Sequence, residues 1–422
     1  MKILNYSAID LACEIKRSEE DVNNVVGTVT RILEDVKLNG DEAILKYSEK
    51  FDGVRVKNLK VTPLEIKKAY ETIDGGLVEA LKKAAHNIEN FHKKQIPTPW
   101  HTTQSGITLG QIIRPINIAG CYIPGGRAAY PSSILMTVIP AKIAGVEKVV
   151  CVTPPQSDGS VLDAILVAAD IAGADEIYKV GGAQAIAALA YGTDSIPKVE
   201  KIVGPGNIFV TAAKKLVYGH VDIEFPAGPS EVLILADESA NPMFLATDIL
   251  AQAEHDPNAS CFLVTDSLDL AFKTNEFVEE FTQQSLRRDI IEESLTKNGK
   301  IIVTDNIDES IFVTNEYAPE HLVISTKNDK EVLSKINNAG SIFIGSYSPV
   351  AAGDYGSGTN HVLPTGGGAR MYSGLSTESF IKKPTVQRIT REGLEELSKI
   401  SVPIAEYEGF QAHADSFKRR LE

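Results

Sequence analysis

From Ile112 onward, short apolar runs rich in β-branched residues alternate with helix-like segments: "INIAGCYIP", "SSILMTVIPAKIAG", "KVVCVTPP", "VLDAILVAADIAG", "EIYKVGG", "AQAIAALAYG" and "KIVGPGN". Strands separated by crossover helices pair in parallel, so this alternation implies βαβ units and a parallel sheet covered by helices on both faces. A second series follows: "SEVLILAD", a helix over 242–255, "SCFLVTD", a long helix near 268–297, "KIIVTDN", "LVIST" and "GSIFIG". Two α/β lobes are therefore expected, the second beginning near Pro229. Both open strand, helix, strand, which is a weak internal repeat. Residues 8 to about 95 read as helices, because "EEDVNNVVGTVTRILEDVKLNG" and "GGLVEALKKAAHNIENFHKKQ" carry apolar residues three and four apart. A polar helical tail closes the chain.

Composition removes several classes of function. A net charge of -14 leaves no basic surface to neutralise phosphates, so a nucleic-acid binder is not expected, whereas a small cationic substrate remains compatible. The start, "MKILNYSAIDLACEIKRSEED", turns acidic and amphipathic too soon for a secretory signal, and no apolar run approaches a membrane span. A cytoplasmic location is expected. Cys13, Cys121, Cys151 and Cys261 are scattered without CxxC spacing, which indicates neither a zinc ribbon nor a disulfide framework.

Four stretches carry candidate chemistry. In "SANPMFLATDILAQAEHDPNA", Asn241 is a candidate N-cap, Pro242 occupies the first helical position and Pro257 forbids continuation. Gln252 and His255 then share one face of the last turn. Two ligands at this spacing reach one ion, but a histidine at a helix C-terminus also serves as a dipole partner. In "NEYAPEHLVIST", Glu320 and His321 directly precede a strand and could supply two proton-transfer groups. Neighbours on a regular strand face opposite ways, so both serve one site only if the chain bends there; a solvated turn after Pro319 is the alternative. The glycine-rich "GDYGSGTNHVLPTGGG" holds Asp354, Asn360 and His361 in a loop without apolar pattern, a functional rather than a packing feature or else a disordered one. Glu408 and His413 in "AEYEGFQAHADSF" fit a solvated helix face.

No GxGxxG fingerprint occurs. Instead three strand ends break into glycine: "CYIPGGR" after Tyr122, "KVGGAQ" at Gly181-Gly182 ahead of Gln184, and "VGPGN" at Asn207. Ligands of open α/β sheets bind outside the carboxyl ends of strands, so the three loops together point to one crevice.

With these pieces in order, the chain resembles the L-histidinol dehydrogenase family through "YIPGG", "GGAQAIAALA", "VGPGN", "AGPSEVL", "AEHDP", "APEHL", "GDYGSGTNHVLPT" and "EGFQAH", in family order over nearly its whole length. The resemblance implies two incomplete Rossmann-like lobes of the aldehyde-dehydrogenase-like kind. It divides the chain into an N-terminal helical segment, 1–24, packing with the tail; a first lobe, 25–121 with 229–370; a second lobe, 122–228; and a C-terminal dimerisation tail, 371–422. It implies a homodimer with shared active sites and one Zn²⁺ per subunit, performing an NAD-linked four-electron oxidation of L-histidinol through the aldehyde to L-histidine. The zinc ligands fall on Gln252, His255, Asp354 and His413, the last donated across the dimer. His321 matches the base that takes the alcohol proton and Glu320 the group that activates water. Ser230, His361 and Glu408 match substrate contacts, together with Gln252, His255, His321, Asp354 and His413. Tyr122, Gln184 and Asn207 match NAD contacts. Cys121 and Cys151 sit in apolar strand-like runs, where an inert buried thiol is favoured over a covalent thiohemiacetal role. Two rival readings are a zinc hydrolase without a dinucleotide and a zinc-dependent binding module without turnover.

Overall fold

The computed structural model describes residues 1–17, 22–125, 130–225 and 228–422, so Gly126 and Arg127 of the first glycine loop and Ala227 of "AGPSEVL" lie outside it. Two fully parallel sheets organise the chain. The five-stranded sheet runs in the order Glu176–Lys179, Lys148–Thr153, Ile118–Tyr122, Lys201–Val203, Asp222–Ile223. Period-two alternation divides its strands between two apolar layers. Ala119, Cys121, Val149 and Cys151 pack under the helices Pro131–Ala144 and Asp163–Ala172. Tyr122, Val150 and Val152 face the helices Gly182–Tyr191 and Ile208–Val217 on the other side.

The six-stranded sheet has the order Lys2–Asn5, Gly299–Val303, Ser260–Thr265, Glu231–Ala236, His321–Ser325, Ser341–Ile344. Helices Pro242–Ala253, Leu268–Gln284 and Arg288–Asn298 cover one face, and Ile307–Tyr317 with Asp329–Ser334 the other. Among the described residues, no helix is long and apolar enough to cross a membrane.

Three expectations need correction. Helices Asn23–Asp52, Pro63–Thr72 and Gly75–His92 pack on the five-stranded lobe, through Ile44 and Tyr47 on one side and Leu81 and Ile88 on the other. Strand Ile118–Tyr122 belongs to the same lobe, so these helices and this strand group with 122–228 rather than with 229–370, whereas strands Trp100–Gln104 and Ile107–Gln111 belong to a separate small sheet. An amphipathic pattern says which face of a helix is buried but not which sheet buries it. The first residues are also not purely helical: Lys2–Asn5 forms an edge strand on Gly299–Val303, and Lys300 binds the carbonyl and carboxylate of Glu14. Residues 1–17 are thereby fixed to the six-stranded sheet.

The third correction concerns the tail, which is not wholly helical: a 3₁₀ turn, Thr377–Phe380, and two strands precede its helices. Thr385–Ile389 pairs antiparallel with Ile107–Gln111, itself paired with Trp100–Gln104. Helices Arg391–Tyr407 and Gln411–Leu421 follow and pack chiefly on each other. Their only buried residues are Gly393 and Ala414, while Ile400, Ile404 and Tyr407 are 61%, 54% and 94% exposed.

Candidate active site

Tyr122, Lys179 and Val203 end strands at the carboxyl edge of the five-stranded sheet, and Glu231 and His321 begin strands at the amino edge of the other. The glycine-rich loop connects these edges. His361 Nδ1 lies 2.9 Å from the Asp354 carbonyl and its Nε2 lies 3.4 Å from Ser133 Oγ, at the start of the helix that follows Tyr122. The Asn360 amide donates to Met136 O at 2.7 Å and contacts His92 Nε2 at 3.3 Å.

The bend required before His321 is present. Helix Ile307–Tyr317 ends at Ala318, a non-glycine residue in the left-handed region at φ 52, and Pro319 turns the chain into Glu320. Gly340 closes over this turn: its N–H donates to Pro319 O, and a Cβ there would lie 2.6 Å from Glu320 O. Glu320 and His321 therefore reach the main chain of the same residue, Glu231, on the adjacent strand. The Glu320 carboxylate accepts from Glu231 N–H at 2.7 Å, and His321 Nδ1 lies 3.0 Å from Glu231 O. A carbonyl only accepts, so Nδ1 carries the proton. His321 Nε2 is buried, without a hydrogen-bond partner, and 3.6 Å from Asp354 Oδ1.

The electrostatics follow from this crowding. Burial pushes Glu320 up to about 8, against the opposing pull of His321. Burial also works against a charged His321, but Glu320 and Asp354 outweigh it and push that group up to about 9. For Asp354, burial opposes ionisation while His321, His361 and His255 together hold the carboxyl below its ordinary range. His361 is lowered, chiefly by loss of water, against the pull of Asp354. His255 keeps an exposed surface, yet the protein packed around it removes enough water to lower its pKa, again against Asp354. One carboxylate is thus surrounded by three imidazoles.

The local reading of the helix before His255 holds: Asn241 Oδ1 caps Met243 N–H at 3.0 Å, and the helix runs Pro242–Ala253. Gln252 is buried, and His255 lies just beyond the helix with its N–H on Gln252 O at 3.2 Å. Ser230 sits immediately before Glu231, its carbonyl accepting from Ser260 N–H. Among the described residues, no three His, Cys, Asp or Glu side chains form a metal-holding group, although His255 and Asp354 act on each other electrostatically. Glu408 and His413 are exposed on the tail, His413 lying against the Phe410 ring at 5.3 Å, and a single chain does not bring them to this cluster.

The three glycine loops do converge. Gly204, at φ +114, packs against the main chain of Tyr122, where a Cβ would lie 2.1 Å from the Tyr122 carbonyl oxygen. The Tyr122 hydroxyl accepts from Gly182 N–H at 3.1 Å, and burial pushes that phenol up to about 12. Gln184 is buried with Oε1 unpartnered, and Asn207 Oδ1 caps the next helix through Phe209 and Val210 N–H. Cys121 and Cys151 are fully buried free thiols; the mutual contact and burial push Cys151 well above its ordinary range, which fits inert packing. Sequence reasoning missed Glu231, although a glutamate inside the apolar run "SEVLILAD" was a visible signal, and it missed Ser133 and Arg17.

Two parallel sheets, linked by a loop that brings Asp354 and His361 to a buried acid–imidazole pair, define an α/β protein with the side chains of an enzyme active site. The family described as histidinol dehydrogenase matches residues 15–421. The chain is 60% identical to the histidinol dehydrogenase of Methanothermobacter thermautotrophicus, covering 100% of this chain and 99% of that one. It is 50% identical to that of Clostridium acetobutylicum, over 96% and 95% of the two. The crystal structure of histidinol dehydrogenase from Elizabethkingia anophelis superposes with a TM-score of 0.95 at 40% identity, covering 100% of this chain and 98% of that one. The chain belongs to the histidinol dehydrogenase family and is an oxidoreductase, which sets aside the hydrolase and binding-module readings.

Proposed function

We propose that the chain oxidises L-histidinol to L-histidine through L-histidinaldehyde, completing histidine biosynthesis as a zinc-dependent, NAD-linked homodimer of the cytoplasm. The observation that carries this reading is His321. Its Nδ1 is committed to a carbonyl, and its Nε2 is buried, faces Asp354 and, among the described residues, has no hydrogen-bond partner. A group so placed can accept the hydroxyl proton at Nε2 while hydride leaves the carbon that bears that hydroxyl for the NAD acceptor.

Glu320 is held by Glu231 N–H through one oxygen, and its raised pKa suits it to take a proton from the water that hydrates the aldehyde. The donor set fits Zn²⁺: Gln252 oxygen, His255 nitrogen and Asp354 oxygen are borderline and hard donors, and His321, His361 and His255 hold the Asp354 carboxyl below its ordinary range, which favours the ionised ligand. His413 would complete the set from the partner subunit. A bound Zn²⁺ would supply a Lewis-acid centre for the substrate and would offset the Asp354 charge that otherwise favours a proton on His321. Ser230, His361 and Glu408 are assigned to substrate contacts, and Tyr122, Gln184 and Asn207 to NAD, which supplies the hydride acceptor twice in succession.

The dimer is supported by the uncovered stripe Ile400, Ile404, Tyr407, whose i, i+4, i+7 spacing puts three apolar side chains on one helix face. Mixing the metal-replete protein with histidinol and NAD tests the proposal. NADH should form, stop on chelation and resume with Zn²⁺, while the melting temperature changes little because the donors lie outside both sheet cores. No NADH from metal-replete protein would sink the reading.

A further inference from the structure

Arg17 joins three segments around the Glu320–His321 turn without touching either side chain through any hydrogen bond described. Its Nε and Nη2 donate to the two Glu231 carboxylate oxygens at 2.5 and 3.0 Å. Nη2 also donates to Tyr317 O at 2.6 Å and Ala318 O at 3.3 Å, and the guanidinium carbon lies 4.0 Å from the Tyr317 ring centroid. Glu231 Oε1 accepts in addition from Gly366 N–H at 3.1 Å, in the loop that carries His361. The ion pair is largely withdrawn from solvent, with 20% of the Arg17 side chain and 4% of the Glu231 side chain exposed.

The connectivity gives this cluster its meaning. Glu231 offers its main chain to the active pair, its N–H to Glu320 and its carbonyl to His321, and its side chain to Arg17. Tyr317 and Ala318, whose carbonyls Arg17 holds, are the last residues before the Pro319 turn that sets where Glu320 begins. We infer that Arg17 is a positioning residue for oxidation: its planar fork clamps Glu231 to the Tyr317–Ala318 helix end and thereby fixes Glu320 and His321 relative to substrate. This rests on the proposed roles of those two residues. An ammonium cannot reproduce the arrangement, because it lacks the paired, coplanar donors and the flat face that lies on Tyr317.

The test uses the zinc-loaded, full-length enzyme with Arg17→Lys and Arg17→Gln, with His321→Ala assayed in parallel. A displacement of catalytic groups by a fraction of an ångström to an ångström costs turnover rather than ground-state binding, so kcat from histidinol and from histidinal should each fall about 10- to 100-fold. KM for histidinol and NAD should stay within about threefold, the signature of lost transition-state interactions. Free guanidinium at about 10 mM, far below unfolding concentrations, should restore part of the Arg17→Gln turnover by occupying the vacated position, whereas methylammonium should not. A merely structural arginine would lower the amount of folded enzyme without this split or rescue. Wild-type kcat in the Arg17 variants beside an inactive His321→Ala overturns the inference alone. Loss confined to KM, or loss without guanidinium rescue that follows the folded fraction, overturns it too. His321→Ala with normal turnover overturns the reading beneath it. Should Arg17→Gln not fold, Arg17→Lys decides by its kcat-to-KM split.

Discussion

His321 donates its Nδ1–H to the carbonyl of Glu231 across 3.0 Å, and that single bond decides which ring nitrogen is available for chemistry. With Nδ1 committed, Nε2 is the nitrogen left to accept a proton, and it faces Asp354. On the proposed roles, His321 serves alcohol deprotonation in both oxidations and Glu320 serves water activation only after the aldehyde. Glu320→Ala should therefore spare the first hydride transfer and slow oxidation of supplied histidinal by about 10²-fold, the usual weight of a general base. His321→Ala should slow both. Single-turnover NADH formation from histidinol and from histidinal measures the difference; equal damage by both variants in both assays contradicts the assignment.

Gly204 should be intolerant of a methyl group. At φ +114, with the Tyr122 carbonyl oxygen 2.1 Å from the added Cβ, Gly204→Ala forces apart two of the three loops assigned to NAD. Backbone strain of this kind costs about 1–3 kcal/mol, so the melting temperature should fall and KM for NAD should rise more than KM for histidinol. Unchanged KM for NAD in a folded Gly204→Ala protein would separate this loop from the dinucleotide site.

Asp52 supplies a pH dependence remote from the metal donors. Burial pushes its carboxyl from 3.8 to about 6, and its Oδ2 is buried without a partner. A carboxyl whose folded pKa is raised favours folding in its protonated form. Its stabilising contribution is complete below the unfolded pKa and disappears as pH rises through about 6. Asp52→Asn should raise the melting temperature at pH 8 relative to wild type and change it little at pH 4. The opposite ordering would mean the charged form has a partner.

His413 belongs to the partner's site on this account, so His413→Ala and His255→Ala chains damage different sites of a mixed dimer. One site takes both lesions and the other neither. Random reassociation of equal amounts makes half the dimers mixed, each with one intact site, and roughly a quarter of wild-type activity should return from two inactive parents. Verified mixed dimers as inactive as either parent would place His413 outside a shared site.

Much of this was legible in sequence because it rests on period and side-chain type. The β-rich runs became the two parallel sheets, and Glu320, His321, Asp354, His361, Gln252 and His255 announced themselves as polar groups at element ends. Lys2–Asn5 did not, since four residues are too few to establish a period. Thr385–Ile389 is exposed throughout, so no buried face marks it as a strand. Glu231 was passed over for a different reason: it acts on Glu320 and His321 through its N–H and carbonyl, which every non-proline residue owns. Only tertiary structure reveals which peptide unit lies opposite a catalytic side chain, and only then does a distant arginine such as Arg17 acquire a reason to be where it is.

The most direct measurement of the central claim is the ratio of NADH formed to histidinol consumed, taken to completion with excess NAD. Four-electron oxidation at one site requires two hydride transfers, so two NADH per histidinol with L-histidine as product is the expected result. One NADH per histidinol with accumulating aldehyde, or none, would contradict the account.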